Sequence, residues 1–241
     1  MTELQPIALV SGATRGIGRA IAQGLARQGV KVLLGARNPE TGREVAAQIS
    51  TPEAAVEAVE LDTTRQETID RLAELIGTKY GQLDILVNNA GISLDFYPEL
   101  SVREKLSRTL ETNVVGTAAL TDAMIPLLEK SSHGRIVNVS SVLASFASRE
   151  QADWIYKDVA MPTYQASKAA VNSLTLSYAK LLADKNIKVN GICPGLTATD
   201  ATNHYGDRKP DQAAKIAIQY ALLDDDGPTG TFVNEDGALN W

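Results

Sequence analysis

The sequence predicts an α/β protein: one doubly wound domain over residues 1–241, built on a parallel sheet of seven strands. Two observations carry this. Short apolar runs rich in Val, Ile and Leu alternate with amphipathic stretches of ten residues or more, the pattern of βαβ units whose helices cover both faces of a sheet. The first of those runs, Ile7 to Val10, passes through Gly12, Gly16 and Gly18 into a helical repeat of Ile17, Ile21 and Leu25. A chain of 241 residues is long enough to bury one large core.

The elements follow in order. The first helix ends near Gly29, and Val30 to Ala36 reads as the second buried strand. Asn38-Pro39 then caps and starts a helix, with proline at the first helical position. Val56 to Leu61 is the third strand, ending in Asp62. Ile69, Leu72, Ala73 and Ile76 form a helical stripe that stops at Gly81. Leu83 to Val87 is the fourth strand, and it runs into Asn88-Asn89-Ala90-Gly91. One long helix is expected from Val102 to Leu128, with Asn113 and Gly116 inside it and Pro126 near its end. Arg135 to Val139 is the fifth strand, followed by Ser140-Ser141. A helix over Thr163 to Ala183 carries Val171, Leu174, Tyr178, Leu181 and Leu182 on one stripe. Lys188 to Cys193 is the sixth strand and meets Pro194-Gly195. A helix near Asp211 to Leu222 and a strand near Gly230 to Val233 close the chain. Right-handed crossovers place a ligand crevice at the carboxyl ends of the strands. Ser11, Arg37, Asp62, Asn88, Ser141 and Pro194 all follow strand ends, so all should face that side.

Composition narrows the partners. Hydrophobic content of 44% and charged content of 22% are those of an ordinary globular protein. A net charge of −6 with no basic cluster argues against nucleic acid. The single cysteine, Cys193, makes no internal disulfide and suits a reducing cytoplasm, where it reads as a buried small hydrophobe. His133 and His204 lack nearby ligand partners, so no metal site is expected. The chain has no apolar run of membrane-spanning length and no leader-like start, so no membrane association is expected.

Three stretches carry chemistry. A strand, a glycine turn and a helix aim unpaired N–H groups and a positive dipole end at an anion. Gly12 takes the sharp turn, Gly16 admits a pyrophosphate to the backbone, and Gly18 lets the helix pack closely on the strand. The spacing is G-x-x-x-G-x-G, and its placement at the start of the pattern favours a dinucleotide. Tyr164 and Lys168 stand four apart and share a helix face. A phenol titrates near 10, so acid–base work near neutrality needs a fall of about two to three units, roughly 3–4 kcal/mol, which a nearby ammonium can supply. Asn113 in a helix interior is locally unfavourable, and a local rule broken there marks a candidate site. Ser140 and Ser141 both end a strand, and periodicity does not choose between them.

Together these residues resemble the short-chain dehydrogenase/reductase family. Ser11 to Gly18, Asn88 to Gly91, Asn113, Ser140-Ser141, Tyr164-Gln-Ala-Ser-Lys168 and Pro194-Gly195 with Thr199 stand in that family's order along essentially the whole chain. The stretch Gly227 to Val233, with the terminal Trp241, is similar to the carbonyl-reductase branch. The resemblance implies a Rossmann domain in which Tyr164 donates a proton, Lys168 also holds the nicotinamide ribose, Ser141 orients a carbonyl oxygen, and Asn113 holds a water that relays protons to the lysine. It implies cofactor contacts from Gly12, Thr14, Arg15, Gly16, Ile17, Gly18, Asp62, Thr63, Asn89, Ala90, Gly91, Pro194, Gly195, Thr197 and Thr199, besides Tyr164 and Lys168. Members that prefer NAD place an acid at the end of the second strand. Here Ala36 and Arg37 stand there, and a guanidinium suits a 2′-phosphate. The expected cofactor is therefore NADPH/NADP+, with Arg15 as a second cation.

Two features depart from the family pattern. Ser11 stands where threonine is commoner, and Ser141 and Tyr164 lie further apart than in most members. The extra segment, around Ser148 to Pro162, either covers the helix face used for tetramers or is a longer surface loop. A monomer or dimer is expected over a tetramer. The leading expectation is NADPH-dependent reduction of a small ketone or aldehyde. The alternatives are a 3-oxoacyl-carrier-protein reductase and a non-catalytic NADPH-binding regulator.

Overall fold

In the computed structural model, which describes residues 5–52 and 54–241, strand and helix alternate from the first apolar run onward. The expected domain limit at residue 1 lies outside the described residues. β1 (Ile7–Val10) leads to α1 (Gly16–Arg27), β2 (Lys31–Ala36), α2 (Pro39–Ile49), β3 (Val56–Glu60), α3 (Gln66–Lys79) and β4 (Ile85–Asn88). The second half runs α4 (Val102–Leu110), α5 (Gly116–Leu128), β5 (Arg135–Val139), the short α6 (Phe146–Arg149), α7 (Pro162–Leu181), β6 (Lys188–Ile192), α8 (Pro210–Ala221), β7 (Phe232–Asn234) and β8 (Gly237–Ala238).

The strands form one sheet in the order β3-β2-β1-β4-β5-β6-β7-β8. β1 pairs in parallel with β2 on one side and β4 on the other, with Ala8 opposite Val32 and Ile85. The chain therefore reverses its direction of growth between β1 and β4, and a crevice opens at the strand ends there. Seven strands are parallel, as expected from the sequence. The eighth, β8, is an addition: it pairs antiparallel with β7 after a turn in which the amide of Asp236 donates to Asn234 Oδ1 at 2.9 Å. Two residues are too few to leave a periodic signal.

Alternation along the strands divides the core. Ala8, Val10, Val32 and Leu34 face Ile21 and Leu25 of α1, Val45 of α2 and Ala217 of α8. Ile7, Leu9 and Leu33 face Ile69 and Ile76 of α3, Leu120 and Met124 of α5, and Tyr178 of α7. Both faces are covered, which accounts for the unbroken apolar run of β1 and the nearly apolar β2; β3, at the sheet edge, alternates with Glu57 and Glu60. Each fully buried Leu or Ile among them contributes about 1.5–3 kcal/mol.

The long helix expected from Val102 to Leu128 is interrupted. Between α4 and α5 the chain makes a π turn at Glu111–Val115, with Asn113 buried in it. α5 begins at Gly116, where a Cβ would stand only 2.7 Å from the carbonyl oxygen of Thr63. One residue inserted into a helix re-aims the side chain it carries, and such turns concentrate at functional sites. Among the described residues no helix is long and apolar enough to cross a membrane.

Candidate active site

At the head of β1 the backbone turns sharply, with Gly12 and Gly16 both at positive φ, 61° and 55°. A Cβ at Gly12 would lie 3.0 Å from the Cα of Ala90, and one at Gly18 only 2.3 Å from Asn89 Nδ2. These close approaches tie the turn to the end of β4. Ser11 Oγ accepts from the amides of Asn89 and Ala90 at 3.0 Å each, and Asn89 Nδ2 donates to the carbonyls of Ser11 and Gly12. At Gly16, by contrast, a Cβ would meet only the Thr199 side chain, at 3.4 Å. α1 begins at this gap. No side chain caps it and no acidic residue stands in its first turn. Its leading N–H groups and positive dipole end thus point into a cleft between the glycine turn and the segment after β6. Thr14 is half-buried at the same turn, beside exposed Arg15 and half-buried Ile17.

The other expected nucleotide residues line the same edge. Ala36 is buried at the end of β2 and Arg37 is exposed immediately after it, with no hydrogen bond or ion pair to any other described residue. Asp62 Oδ1 accepts from the amide and hydroxyl of Thr64, at 3.0 and 2.8 Å, so its carboxylate shapes the turn after β3 that also holds Thr63. Pro194 and Thr197 are buried, and Thr197 Oγ1 donates to the carbonyl of Gly195 at 3.0 Å. Arg15 behaves differently from Arg37: its Nη1 pairs with Asp200 at 3.2 Å, which bridges the cleft. Asp200 also meets His204 Nε2 at 3.3 Å.

Deeper in the crevice, the two serines after β5 separate clearly. Ser140 is buried and donates to Asn172 Oδ1 at 2.5 Å, a structural bond. Ser141 is half-buried, accepts from the amide of Leu143 at 3.2 Å, and stands close enough to the Tyr164 hydroxyl to favour its ionised form. Tyr164 and Lys168 stand one turn apart on α7, and Lys168 Nζ lies 5.7 Å from the centre of the tyrosine ring. Nζ donates to the carbonyl of Val139 at 2.7 Å. Asn113 Nδ2 donates to the carbonyl of Ile92 at 2.9 Å and to Ser167 Oγ at 3.0 Å, while its Oδ1 accepts from the Ile92 amide at 2.8 Å. Its amide is thus committed to the Ile92 backbone and to Ser167. Asn113 and Lys168 nevertheless converge: a Cβ at Gly91 would stand 3.3 Å from Asn113 Oδ1 and 3.5 Å from Lys168 Nζ.

Burial governs the electrostatics here. It pushes the Tyr164 phenol up to about 12, with the Cys193 thiol adding to the rise and the Ser141 hydroxyl opposing it. It pulls Lys168 down to about 8, against a smaller opposing effect of Cys193. Acid–base work near neutrality leads one to expect a depressed phenol; in the free protein the reverse holds, because the loss of solvent outweighs every favourable neighbour. The phenol accordingly keeps its proton across the neutral range. Cys193 is buried, its Sγ accepts from the Val142 amide at 3.1 Å, and burial pushes its thiol up, as suits a packing residue.

The family model described as short chain dehydrogenase matches residues 6–210. The chain belongs to the short-chain dehydrogenase family. Its members are oxidoreductases, and several relatives span nearly all of this chain. The (–)-isopiperitenone reductase of Mentha piperita is 32% identical over an alignment of 315 positions that covers 99% of each protein, so the plant enzyme carries residues absent here. The 3-oxoacyl-acyl-carrier-protein reductase of Escherichia coli is 35% identical over 213 residues, 88% of this chain and 81% of that one. The Pseudomonas aeruginosa RhlG/NADP active-site complex is 30% identical and superposes with a TM-score of 0.82, over 96% of this chain and 95% of that one.

Other residues at this short-chain dehydrogenase site lie in the irregular segments Ile92 to Tyr97, Leu143 to Met161 and Thr197 to Lys209, which the sequence marks as the walls of a substrate pocket without marking any one residue in them. Tyr156, in the extra segment, is half-buried, and burial pushes its phenol up, with smaller effects of opposite sign from nearby Cys193 and Arg208, so that part of the segment lies toward the crevice. Arg208 packs over Gly195 and pairs with Glu235 of the β7–β8 turn. Asp95 binds the start of α7. The signal for it was an absence: α7 opens on Met161-Pro162-Thr163 with no side chain of its own at the cap, so the cap has to come from elsewhere. Among the described residues no three His, Cys, Asp or Glu side chains gather as a metal set.

Proposed function

We propose that this protein reduces a ketone or aldehyde to an alcohol with NADPH, and that Tyr164 is the proton donor. The observation that carries this is the convergence of half-buried Ser141 and Tyr164 with buried Lys168 at the mouth of the strands, next to an uncapped helix start. The site fits a dinucleotide: α1 offers free N–H groups across the gap at Gly16, and residues 89–91 form a close wall beside the turn. Gly12, Thr14, Arg15, Gly16, Ile17 and Gly18 would hold the diphosphate end. Asp62, Thr63, Asn89, Ala90 and Gly91 would hold the adenosine, and Pro194, Gly195, Thr197, Thr199, Tyr164 and Lys168 the nicotinamide end. Arg37, exposed and unpaired after Ala36, supports NADPH over NADH, since it can meet a 2′-phosphate with a charge-assisted bond. The relative solved with NADP is consistent with this choice.

NADPH, when bound, supplies the hydride. The protein does the rest. The Ser141 hydroxyl donates to the substrate carbonyl oxygen and holds it for the reaction. Tyr164 gives its proton to that oxygen as negative charge develops on it. Lys168 stabilises the phenolate left behind, and Asn113 fixes the backbone that Lys168 packs beside. Burial keeps Tyr164 protonated until that moment.

The E. coli relative supports a second substrate class, a 3-oxoacyl group on a carrier protein. A regulator that only binds NADPH would have no use for Ser141, Tyr164 and Lys168 gathered at one point. The domain works as a single dinucleotide-binding and catalytic unit in the cytoplasm. It assembles as a monomer or dimer; the long Ser141–Tyr164 spacing supports this, and the end of the extra segment, at Ala160 and Pro162, shares the walls of one cavity with Val102, Lys105 and Leu106 of α4. A panel of aldehydes, ketones and 3-oxoacyl thioesters, followed by NADPH oxidation, tests the reading. Turnover of simple carbonyls is expected; turnover of the thioesters alone would select the second class, and no turnover of any would refute catalysis.

A further inference from the structure

Tyr164 sits in the first turn of α7, where a helix frays most readily and where the leading N–H groups have no partner within the helix. The helix brings no cap of its own: Met161 makes no side-chain cap and no acidic residue follows it in the first turn. The missing cap is supplied from the segment after β4. Asp95 Oδ1 accepts from the Thr163 amide at 3.1 Å, and Oδ2 accepts from the Thr163 hydroxyl at 2.9 Å and from the amide of Tyr164 itself at 3.0 Å. A carboxylate here makes charge-assisted bonds and lies at the positive end of the helix dipole.

Asp95 is itself held. Its carbonyl accepts from Lys105 Nζ of α4 at 3.2 Å. Three residues earlier, Ile92 is clamped through both its amide and its carbonyl by Asn113 of the π turn. Asn113 also reaches Ser167, whose hydroxyl donates to the carbonyl of Tyr164 at 2.7 Å. Tyr164 is therefore gripped at both backbone groups, its amide by Asp95 and its carbonyl by Ser167, and both grips lead back to Asn113.

We infer that Asp95 is a positioning residue, a cap supplied from outside α7 that fixes the Tyr164 hydroxyl against Ser141. This rests on Tyr164 being the proton donor, as proposed above. It also gives the π turn a purpose, since the turn aims Asn113 at the segment that carries Asp95. Displacement of a reacting group by about 1 Å can cost roughly a hundredfold in rate, so a frayed first turn should reach turnover before it reaches cofactor binding.

The experiment measures single-turnover NADPH oxidation in Asp95→Ala, Asp95→Asn, Tyr164→Phe and the double variants, with active sites counted by stoichiometric NADPH binding. Asp95→Ala is expected to lower kcat about a hundredfold and Asp95→Asn, which keeps one acceptor oxygen, about tenfold, with KM for NADPH unchanged within about twofold. In the Tyr164→Phe background neither change should slow the residual rate further, because no hydroxyl is left to place. If Asp95→Ala does not fold, Asp95→Asn carries the same cycle. Wild-type kcat in the folded Asp95 variants beside an inactive Tyr164→Phe overturns the inference and leaves the proposed function standing. An equal loss with and without the tyrosine hydroxyl also overturns it, because Asp95 would then serve only the fold. Full turnover in Tyr164→Phe overturns the proposed function, and this inference with it.

Discussion

Lys168 offers a pH test whose size can be worked out from the structure. Its ammonium lies 5.7 Å from the centre of the Tyr164 ring, so in a site of effective dielectric about 20 it stabilises a phenolate by roughly 3 kcal/mol. That is about a hundredfold in rate. Burial has pulled this lysine down to about 8, so the charge is lost within an accessible range. kcat/KM, which reports the free enzyme, should be level below pH 8. Above it the value should fall about tenfold per pH unit and settle roughly a hundredfold lower near pH 10. Stability should move the other way. The folded pKa of Lys168 lies below its unfolded value of 10.5, so the unfolded chain binds more protons between about 8 and 10.5 and this group adds stability as pH rises through that window. Loss of activity with no loss of melting temperature then excludes unfolding as the cause. Lys168→Arg keeps its charge throughout the range and should show no fall. Lys168→Met should begin at the lower plateau and stay level. Cys193→Ser should retain the fall, which excludes the neighbouring thiol. A level wild-type profile from pH 7 to 10, or a fall that survives in Lys168→Arg, would refute the reasoning.

Three further outcomes are expected. Ala36→Asp with Arg37→Ser should erase or reverse a preference for NADPH of about ten- to a hundredfold, the worth of one charge-assisted bond of about 1.5–3 kcal/mol, and should act mainly on the cofactor KM in steady-state kinetics with both cofactors. Asp200→Asn frees Arg15 from an exposed ion pair, a contact worth about 0–1 kcal/mol, so the KM for NADPH should fall by no more than about fivefold, as fluorescence titration would also read. Light scattering should return a monomer or a dimer, and a stable tetramer would count against the extra segment before Tyr164 covering an assembly face.

Much of this was legible from residue order. The apolar-rich runs from Ile7 to Val233 marked seven strands because strands covered on both faces are mostly apolar, and the crevice side followed from what came after each run. The placement of Tyr164 and Lys168 one turn apart on a single helix was readable from their spacing alone. What the sequence hid were contacts between distant segments. Asp95 looked like part of an irregular loop, since nothing local says that its carboxylate reaches the amide of a residue 69 positions later. The choice between Ser140 and Ser141 depended on which side chain the fold buries against Asn172. The π turn left no periodic mark, for one extra residue in a helix of mixed composition does not disturb the apolar stripe enough to be seen. The rise of the phenol to about 12 depends on burial, and no spacing in the sequence reports that.

The central claim is that Tyr164 delivers the proton in an NADPH-dependent carbonyl reduction. The most direct measurement compares wild type and Tyr164→Phe for NADPH binding by fluorescence and for NADPH oxidation with the best carbonyl substrate of the panel. The variant removes one hydroxyl and leaves the ring in place. NADPH affinity within about twofold of wild type, with turnover lower by about three orders of magnitude or more, is the predicted result. Turnover within about tenfold of wild type would contradict it, and the proton would have to come from another group.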